Sequence, residues 1–420
     1  MFYIKKIIPF PLLSLYHLLL SLGAAFYYRF PAQKVFVVGV TGTKGKTTVI
    51  ELINALLENA GYTTALAGTL RFKIGGGSSR NLLKMTMPGR FFLQRFLRNA
   101  VNEGCQYVIL EVTSEGTRQW RHLFLGLNAL IFTNLSPEHI ESHGSYEKYR
   151  DAKLSIAKAL VRSDKKEKII VANKDDKEGK KFLGIRVSHK YPFSLEDAAP
   201  FAFHDKGIRF VFEGVTMDSP LRGEFNLYNI LAAITFAKSV GIQTSVIKQT
   251  LQSFGEISGR LEFIREGQDF DVVVDYAHTP DSLSSVYKTF TEKKKLCVLG
   301  ATGGGRDKWK RREFGEIAEH YCKKVILTNE DPYDENPVQI VKEIQSGISN
   351  SQFLISNVSV EMDRRKAIRK AFELANPGDI VLITGKGTDP FIMGPRGSKI
   401  PWDDRDVARE ELREILNHKS

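Results

Sequence analysis

The feature that most restricts the fold is an apolar run that leads at once into a glycine- and lysine-rich turn and then into a helical pattern. Val35–Val40 is apolar and β-branched, and the helical periodicity of Lys46–Ala60 ends at Gly61, a common helix stop. The turn between them reads TGTKGKTT at residues 41–48. Glycines in such a turn let backbone N–H groups approach phosphate oxygens, and the helix N-terminus adds the positive end of its dipole. This order of strand, turn and helix predicts a nucleotide phosphate site.

The side chains of this turn match the needs of a triphosphate. Lys46 would reach the β- and γ-phosphates, and the Thr47 hydroxyl would bind Mg²⁺. The strict phosphate-loop motif has a glycine five residues before Gly45, but this chain has Val40 there. The motif alone therefore does not distinguish a phosphate loop from an ordinary glycine turn, and the prediction depends on the position of the turn between a strand and a helix. The nucleotide-binding candidates in the turn are Gly42, Thr43, Lys44, Gly45, Lys46, Thr47 and Thr48.

Strand-like and helix-like patterns alternate over most of the chain, which is typical of a parallel sheet covered by helices on both faces. Further strands are predicted at Tyr107–Val112, Ala129–Thr133, Lys168–Ala172, Ile208–Phe212, Val272–Asp275, Leu296–Leu299, Val325–Thr328 and Ile380–Thr384. Helices are predicted at 145–160, 226–240, 281–291, 310–321, 337–347, 362–375 and 406–416. We therefore expect an α/β protein. A phosphate-loop central domain with a mainly parallel sheet would occupy residues 35–257, and a Rossmann-like α/β C-terminal domain residues 258–420.

Residues 1–34 form an apolar N-terminal segment, and its stretch 7–28 contains 22 residues without a formal charge, enough to span about 30 Å of hydrocarbon. A cleaved signal peptide is disfavoured because no small-residue cleavage site follows. A spanning helix would place the rest of the chain away from ATP. A weak polar stripe is formed by Ser14, His17, Ser21 and Tyr28. A helix in the membrane interface and a helix docked on the protein remain as alternatives.

Charge and cysteine content narrow the partners and the compartment. The 60 Lys and Arg exceed the 48 Asp and Glu, and the formal net charge of +12 favours an anionic partner. The sequence has no nucleic-acid motif, so we expect no nucleic acid and favour an anionic substrate or membrane. Cys105, Cys297 and Cys322 are too few for a disulfide scaffold and form no CxxC pair for zinc, so we expect reduced thiols in a cytosolic protein.

Two residues after predicted strands are candidate Mg²⁺ ligands. Glu111 ends one strand, and His139 follows the strand Ala129–Thr133. Taken separately, Glu111 could be a helix-capping acid and His139 an ordinary loop residue. The carboxyl edge of a parallel sheet gathers such residues beside the phosphate loop, so together they favour a metal shell.

These motifs resemble those of the Mur ligases, the ATP-dependent acid–amino acid ligases of peptidoglycan synthesis, and among them the ligases that add the third residue of the stem peptide. The resemblance covers residues from about 35 to 416. It rests on the phosphate loop and on EVTS at 111–114, TNLSPEHIESHG at 133–144, GEFNLYN at 223–229, GR at 259–260, DYAHTP at 275–280, RDK at 306–308, GKG at 385–387 and DDR at 403–405.

The resemblance implies a role for each matching residue. Lys153, 14 residues after His139, matches the family's carbamylated lysine, although the sequence alone favours a solvated helix lysine there. The implied catalytic residues are Lys46, Asn134, His139 and Lys153. The implied metal ligands are Thr47, Glu111, His139 and a carbamylated Lys153. ATP would also be bound by Asn226, Asn229, Arg260, Asp275 and His278. Substrate-binding candidates are Thr86, Thr113, Ser114, Arg306, Asp331 and Lys386.

The implied reaction uses ATP and Mg²⁺ and joins a free amino acid to a muramoyl-peptide precursor. A carboxylate is a poor electrophile, and phosphoryl transfer from ATP would convert it into an acyl phosphate that an amine can attack. The family's N-terminal uridine-nucleotide domain has no counterpart in residues 1–34, so the acceptor could be uridine-nucleotide-linked or lipid-linked. We expect a cytoplasmic protein, and our hypothesis is that residues 7–28 bring it to the inner face of the cell membrane.

Two stretches depart from the diaminopimelate-adding members of the family. Where those members have Asp-Asn-Pro-Arg, this chain has EDPY at residues 330–333. The tyrosine cannot form the bidentate ion pair that an arginine forms with a carboxylate. Their Gly-Lys-Gly-His-Glu reads GKGTD at 385–389. We therefore predict that diaminopimelate is not the preferred amino acid, or that another cation holds it.

Two other functions remain open. A folylpolyglutamate-synthetase-like ligase would share the phosphate loop and the two-lobe plan, but the spacing from His139 to Lys153 and the DYAHTP motif favour a Mur ligase. A nucleotide-dependent scaffold anchored at the membrane would be expected to have lost a ligand. The implied ligands and catalytic lysines are all present at Lys46, Thr47, Glu111, His139 and Lys153.

Overall fold

A computed structural model describes residues 10–138 and 140–419. The prediction of His139 as a metal ligand therefore lies outside the described residues. The chain divides into two compact units. The first comprises the chain up to Pro137 together with His143–Leu221 and Phe225–Phe254, and the second comprises Glu138–Ser142, Arg222–Glu224 and Gly255 onward.

The first unit is organised around a large sheet. Its strands are β1 (Phe36–Thr41), β2 (Thr64–Ala67), β3 (Arg71–Ile74), β4 (Gly77–Arg80), β5 (Tyr107–Glu111), β6 (Leu127–Phe132), β7 (Ile169–Asn173) and β8 (His189–Phe193). Over the described residues they form one eight-stranded sheet in the order β4-β3-β2-β5-β1-β6-β7-β8. Among these described strands, β3 pairs in antiparallel fashion with both β2 and β4, and the other pairs are parallel, so the sheet is mainly parallel, as predicted.

Helices and a small antiparallel sheet accompany the large sheet. The helices up to residue 253 are α1 (Phe10–Tyr27), α2 (Lys46–Asn59), α3 (Arg90–Asn102), α4 (Ser114–Arg118), α5 (Ile140–His143), α6 (Tyr146–Val161), α7 (Gly179–Leu183), α8 (Glu224–Ser239) and α9 (Thr244–Ser253). The strands β9 (Phe201–His204), β10 (Gly207–Phe212) and β11 (Val215–Ser219) pair in the order β11-β10-β9.

The second unit has a parallel sheet of its own. Its strands are β12 (Glu262–Phe263), β13 (Asp271–Asp275), β14 (Lys295–Leu299), β15 (Lys324–Leu327), β16 (Val358–Val360) and β17 (Ile380–Thr384), in the order β12-β13-β17-β14-β15-β16. A hairpin follows, made of β18 (Phe391–Met393) and β19 (Lys399–Pro401). The helices are α10 (Pro280–Lys288), α11 (Trp309–Tyr321), α12 (Pro337–Gln345), α13 (Ser351–Asn357), α14 (Arg364–Leu374) and α15 (Asp404–Lys419). The predicted α/β class is therefore confirmed.

The cysteine prediction is wrong for two of the three residues. Cys297 and Cys322 form a disulfide with their Cα atoms 6.1 Å apart, whereas Cys105 is a buried free thiol. Cys297 lies in β14, and Cys322 follows α11, directly before β15. The two residues meet because β14 and β15 are adjacent parallel strands. Composition could not reveal this pairing, since it depends on the strand order.

Helix α1 packs against the first unit through its polar stripe. Trp120 Nε1 donates to Ser14 Oγ (2.7 Å), and Ser21 Oγ donates to the Trp120 carbonyl oxygen (2.9 Å). His17 Nδ1 lies 3.0 Å from Arg90 Nη2. These contacts are those of a docked helix, one of the two alternatives left open by the sequence. Within residues 10–138 and 140–419, no helix is both long and apolar enough to cross a membrane.

Candidate active site

The carboxyl ends of three adjacent strands bring several predicted residues to one edge of the large sheet. β1 lies between β5 and β6, and the register pairs Val40 with Glu111 and Thr41 with Phe132. The loop after β1, the last residue of β5 and the loop after β6 therefore lie next to one another at the same edge of the sheet. This edge is where open parallel sheets bind their ligands.

The loop after β1 is held by its own lysine and by the loop after β6. Lys46 Nζ donates to the carbonyl oxygens of Gly42 (3.0 Å) and Thr43 (2.9 Å). Asn134 Oδ1 accepts from the Lys44 amide (2.9 Å), and Asn134 Nδ2 donates to the Lys44 carbonyl oxygen (3.2 Å). The predicted catalytic residues Lys46 and Asn134 thus both contact the phosphate loop.

Two asparagines of α8 lie against the same loop. Gly45 is the N-cap of α2 at φ +80°, a conformation that a side chain rarely adopts. A Cβ atom at Gly45 would lie 2.0 Å from Asn229 Oδ1, so the close approach also requires glycine. Asn229 Nδ2 donates to Asn226 Oδ1 (3.0 Å). The structure therefore brings both predicted nucleotide-binding asparagines to the start of α2.

Glu111 is buried and accepts hydrogen bonds from side chains and a loop amide, so it does not cap a helix. Its Oε1 accepts from Thr47 Oγ1 and from the Thr69 amide, both at 2.9 Å. Its Oε2 accepts from Thr69 Oγ1 (3.0 Å), which lies 2.9 Å from Thr86 Oγ1. Thr47, Glu111 and Thr86, predicted for different roles, belong to one network.

Lys153 is buried, so the solvated-lysine interpretation that the sequence alone favoured is wrong. Only 2% of its surface is exposed, and Nζ donates to the Gly42 carbonyl oxygen (2.7 Å). The ammonium lies 4.9 Å from the centroid of the Tyr149 ring, and the Tyr149 hydroxyl lies 3.0 Å from Thr43 Oγ1. Lys46 Nζ donates to the same Gly42 oxygen, so two ammonium groups meet at one point of the phosphate loop.

The predicted substrate residues Thr113 and Ser114 stand at the start of α4. Thr113 Oγ1 caps the helix by accepting from the Gly116 amide (3.1 Å). Ser114 Oγ lies 3.2 Å from His143 Nε2. Burial lowers the pKa of His143, so this imidazole is neutral near pH 7. Sequence reasoning gave His143 no role, although it stands in the quoted TNLSPEHIESHG motif.

Sequence reasoning also missed a pair of arginines near this network. Burial lowers the pKa of both Arg90 and Arg121, and the charge of Arg90 lowers that of Arg121 further. Arg121 donates to the Met87 carbonyl oxygen and to Gln119 Oε1 (2.7 Å), and Arg90 donates to the Gln119 carbonyl oxygen (2.7 Å). An anionic ligand would relieve two like charges that are partly removed from water.

In the second unit, three predicted ATP contacts gather around one tyrosine. The Arg260 guanidinium lies 4.5 Å from the centroid of the Tyr276 ring, and His278 Nδ1 lies 2.8 Å from the Tyr276 carbonyl oxygen. The Asp275 carboxylate is buried and accepts from two backbone amides, at 2.8 and 2.7 Å. Burial raises the pKa of Asp275, and the Arg260 charge opposes that rise.

The remaining substrate candidates of the second unit differ in their surroundings. Lys386 is buried, and its Nζ lies 2.8 Å from Asp331 Oδ1 and 3.1 Å from Asp389 Oδ2. Arg306 is exposed in the loop before α11. Tyr333 has φ +52°, in the left-handed region that few side chains adopt.

Two of the described residues have the donor chemistry of a Mg²⁺ site. In this part of the chain, which leaves out His139, no group of three or more His, Cys, Asp and Glu side chains could hold a metal ion. The Thr47 hydroxyl and the Glu111 carboxylate nevertheless provide adjacent oxygens, the donor type that Mg²⁺ prefers. Because Mg²⁺ at nucleotide sites takes further ligands from phosphates and water, these two residues fit it.

Comparisons with known proteins agree with this geometry. A family model for the Mur ligase middle domain matches residues 40–237, and one for the Mur ligase glutamate ligase domain matches residues 259–387. The chain is 35% identical over 411 residues to the UDP-N-acetylmuramoyl-L-alanyl-D-glutamate–2,6-diaminopimelate ligase of Syntrophomonas wolfei, covering 94% of this chain and 81% of that protein. It is also 35% identical over 433 residues to the UDP-N-acetylmuramyl-tripeptide synthetase of Roseiflexus sp., covering 97% and 85%.

Solved structures share the architecture. A UDP-N-acetylmuramoyl-L-alanyl-D-glutamate–2,6-diaminopimelate ligase has a TM-score of 0.61 at 29% identity and covers 91% of this chain and 79% of that one. The folylpolyglutamate synthase of Mycobacterium tuberculosis, solved with ADP and AMPPCP, has a TM-score of 0.69 and covers 94% of each chain; at 14% identity this likeness concerns the fold alone. The motifs, the phosphate-loop geometry and the relatives together show that the chain belongs to the Mur ligase family, the amide-bond-forming ligases of peptidoglycan synthesis.

Proposed function

We propose that this protein uses ATP in the cytoplasm to join the carboxyl group of a muramoyl-peptide precursor to the amine of a free amino acid. Phosphoryl transfer from ATP to the carboxylate gives ADP and an acyl phosphate. The amine then attacks the acyl carbon, loses a proton and displaces phosphate as the amide forms. The observation that supports this best is the gathering of Lys46, Thr47, Glu111 and Lys153 around the phosphate loop.

The first unit supplies what phosphoryl transfer needs. Lys46 would neutralise charge as it moves between the oxygens of the transferring group, and Asn134 would stand beside the γ-phosphate. The amides of the loop and of the α2 N-terminus would bind the other phosphate oxygens. The acyl phosphate and the amine have to be held within about 3–3.5 Å, with water kept out, for the second step.

Thr47 and Glu111 would hold a Mg²⁺ ion, with His139 and a carbamylated Lys153 as further proposed ligands. When bound, Mg²⁺ neutralises phosphate charge and orients the reacting oxygens. Thr69 donates twice to Glu111, through its amide and its hydroxyl, so the carboxylate is already oriented.

The proposal for Lys153 has its own test. Addition of CO₂ to the neutral amine, with loss of a proton, would convert a cation into a carboxylate beside the phosphate loop. Lys153→Ala should lower the ligation rate by about 100-fold, and formate or acetate should restore part of it by occupying the vacated volume as a carboxylate. Lys158→Ala, at an exposed position of the same helix α6, is the matched control. Retention of most activity by Lys153→Ala would contradict this role.

We propose that Arg90 and Arg121 bind an anionic group of the acceptor, together with Thr86, Thr113 and Ser114. Muramoyl peptides carry carboxylates, and both a uridine nucleotide and a lipid carrier add phosphates. The desolvation and mutual repulsion of the two arginines would favour such a ligand.

Other contacts are proposed residue by residue. ATP would be bound by Asn226, Asn229, Arg260, Asp275 and His278, and the amino acid by Arg306, Asp331 and Lys386. Several relatives are named for 2,6-diaminopimelate. Because the resemblance places Tyr333 at the arginine of the diaminopimelate-adding members' Asp-Asn-Pro-Arg, we propose that this chain prefers another amino acid.

One experiment tests the whole proposal. The purified chain is incubated with ATP, Mg²⁺, an amino-acid pool and either uridine-linked or lipid-linked muropeptides, and product masses are read. We expect phosphate release that requires both acceptor and amino acid, and a product heavier by one amino-acid residue. Turnover with a folate acceptor alone would favour a folylpolyglutamate-type ligase, and nucleotide binding without turnover would favour a scaffold.

A further inference from the structure

The outer face of α1 is apolar and exposed, although the helix docks through its polar stripe. Leu12, Leu19 and Phe26 are 59%, 57% and 74% exposed, and they lie on one side of the helix. The exposed apolar stripe of α1 comprises Leu12, Leu15, Leu19, Leu22 and Phe26, with Tyr16 and Tyr27 beside it. A helix that turns its polar side toward the protein and its apolar side outward leaves a surface that water solvates poorly.

Hydrogen bonds fix this orientation along the helix. Ser14 and Ser21, two turns apart, both bond to Trp120, one to its indole and the other to its carbonyl oxygen. At the C-terminal end, the Arg98 guanidinium donates to the Tyr28 carbonyl oxygen at 3.1 and 2.8 Å. Rotation of the apolar stripe toward the protein would break these bonds.

Most of the basic excess of the chain lies in the part of the sequence that contains α1 and α3. Residues 1–102 contain 13 Lys and Arg and two Glu, which is +11 of the formal +12. Helix α3 packs against α1 and carries Arg90, Arg95 and Arg98 without an acidic residue. An apolar helix face beside a helix that carries three arginines and no acidic residue is typical of proteins that bind anionic bilayers.

We propose that α1 docks the first unit on the surface of an anionic lipid bilayer, with the helix axis in the membrane plane and the apolar stripe among the headgroups. The 18 residues of α1 would lie flat over about 27 Å. Tyr16 and Tyr27 are suited to this depth because their rings are apolar and their hydroxyls polar. The polar side of α1 would keep its bonds to the protein.

A second copy of the chain could also cover the stripe, but charge argues against it. Pairing two such faces would bring together two segments that each carry +11. An anionic bilayer turns the same charge into an attraction. The observations therefore favour lipid over self-association.

The location of α1 has a consequence that rests on the proposed function. His17 Nδ1 lies 3.0 Å from Arg90 Nη2, so the lipid surface would adjoin the proposed acceptor-binding arginines. That position suits a lipid-linked acceptor. The lipid binding itself requires no catalysis.

Flotation of the full chain with vesicles tests the proposal. Wild type should bind vesicles with about 30 mol% phosphatidylglycerol at least about tenfold more strongly than vesicles of phosphatidylcholine alone, and added salt should weaken binding. The double variant Leu15→Gln/Leu19→Gln should bind at least about tenfold more weakly. Ile355→Gln, at a site 78% exposed in the second unit, is the matched control and should bind as wild type does. Because every substituted side chain is exposed, we expect the variants to fold as wild type does, and circular dichroism checks this.

The proposal would be overturned if the double variant and wild type bound vesicles equally, or if wild type bound anionic and neutral vesicles equally. A wild-type dimer that the double variant does not form, without vesicle binding, would assign the stripe to a second copy. Binding that appears only after removal of residues 1–9 would show that those residues cover the stripe. Because vesicle binding needs neither ATP nor amino acid, its failure would leave the proposed reaction unaffected.

Discussion

Three cations of the first unit and two buried cations of the second unit have different partners. In the first unit, Lys46 and Lys153 donate to the carbonyl oxygen of Gly42, and Arg121 donates to that of Met87. A carbonyl dipole orients a cation but cancels none of its net charge. Cations oriented in this way suit the anions that the proposed reaction would bind, ATP and an acidic acceptor.

Carboxylates hold two buried cations of the second unit, Arg364 and Lys386. Arg364 pairs with Asp404 at 2.7 Å with both side chains almost fully buried, and Lys386 lies near Asp331 and Asp389. Ionised partners compensate the charge that burial would otherwise penalise. We infer from this difference that Lys46 and Lys153 belong to an anion site, whereas Arg364 has an architectural role. Lys386, a predicted substrate residue, resembles Arg364.

Replacing Lys46 should have the largest effect of all. Lys46→Ala should lower kcat/KM by about 10³–10⁴-fold, because it removes the ammonium group that would neutralise negative charge on the transferring phosphoryl group. Phosphate release that depends on acceptor and amino acid measures this, with Lys158→Ala as control. The thermal unfolding midpoint without nucleotide should change little. A large fall in that midpoint with little loss of rate would place Lys46 with the architectural cations and break the comparison.

Removing the Arg364 guanidinium should instead destabilise the second unit. Arg364 also donates to the Thr384 carbonyl oxygen (2.9 Å), so Arg364→Ala would leave Asp404 buried without its cation. The free energy of unfolding should fall by about 3–5 kcal/mol in urea titrations. Arg312→Ala, which removes an exposed ion pair with Glu316, is the control and should cost under about 1 kcal/mol. Equal losses from both variants would remove the distinction between buried and surface pairs.

Strands were predictable where burial on both faces gives a long apolar run, although the four-residue β2, which is also fully buried, was missed. β5 and β17 are buried at every position, so they appear in the sequence as continuous apolar runs. β4 (Gly77–Arg80) is exposed at every residue and has no apolar signal, so no pattern in the sequence predicted it. The disulfide between Cys297 and Cys322 depends on which strands are neighbours, which local patterns do not encode.

The candidate site was predictable where its residues end adjacent strands. The β1 and β5 patterns bring Thr47 and Glu111 together once the sheet is assumed. Arg90 and Arg121 belong to different elements and meet only through tertiary packing, so their pairing could not be read from one sequence. Lys153 was misjudged because burial of a helix position depends on what packs against it.

The first unit should lose stability in mild acid. Burial lowers the pKa of His122 to about 4 from its usual 6.5. The unfolded chain therefore takes up a proton below pH 6.5 that the folded chain accepts only near pH 4. Stability should fall across that window by up to about 3 kcal/mol. Urea titrations at several pH values measure this, and His122→Gln should flatten the dependence. Identical pH profiles for variant and wild type would show that another group is responsible.

The smallest predicted effect concerns the amino acid that the second unit selects. The Tyr333 amide donates to the Met393 carbonyl oxygen (3.1 Å), and a Cβ atom on Gly304 would lie 2.6 Å from the Tyr333 ring, so the tyrosine is closely packed. Tyr333→Arg should raise kcat/KM for diaminopimelate relative to neutral amino acids by about tenfold, since a guanidinium pairs bidentately with a distal carboxylate. Competition between two amino acids in one reaction measures the ratio, and Tyr333→Lys, a cation without the planar fork, should gain less. A wild-type preference for diaminopimelate of tenfold or more would contradict this prediction. Another cation of the second unit would then bind the distal carboxylate. The architectural role inferred for Lys386 would have to be revised.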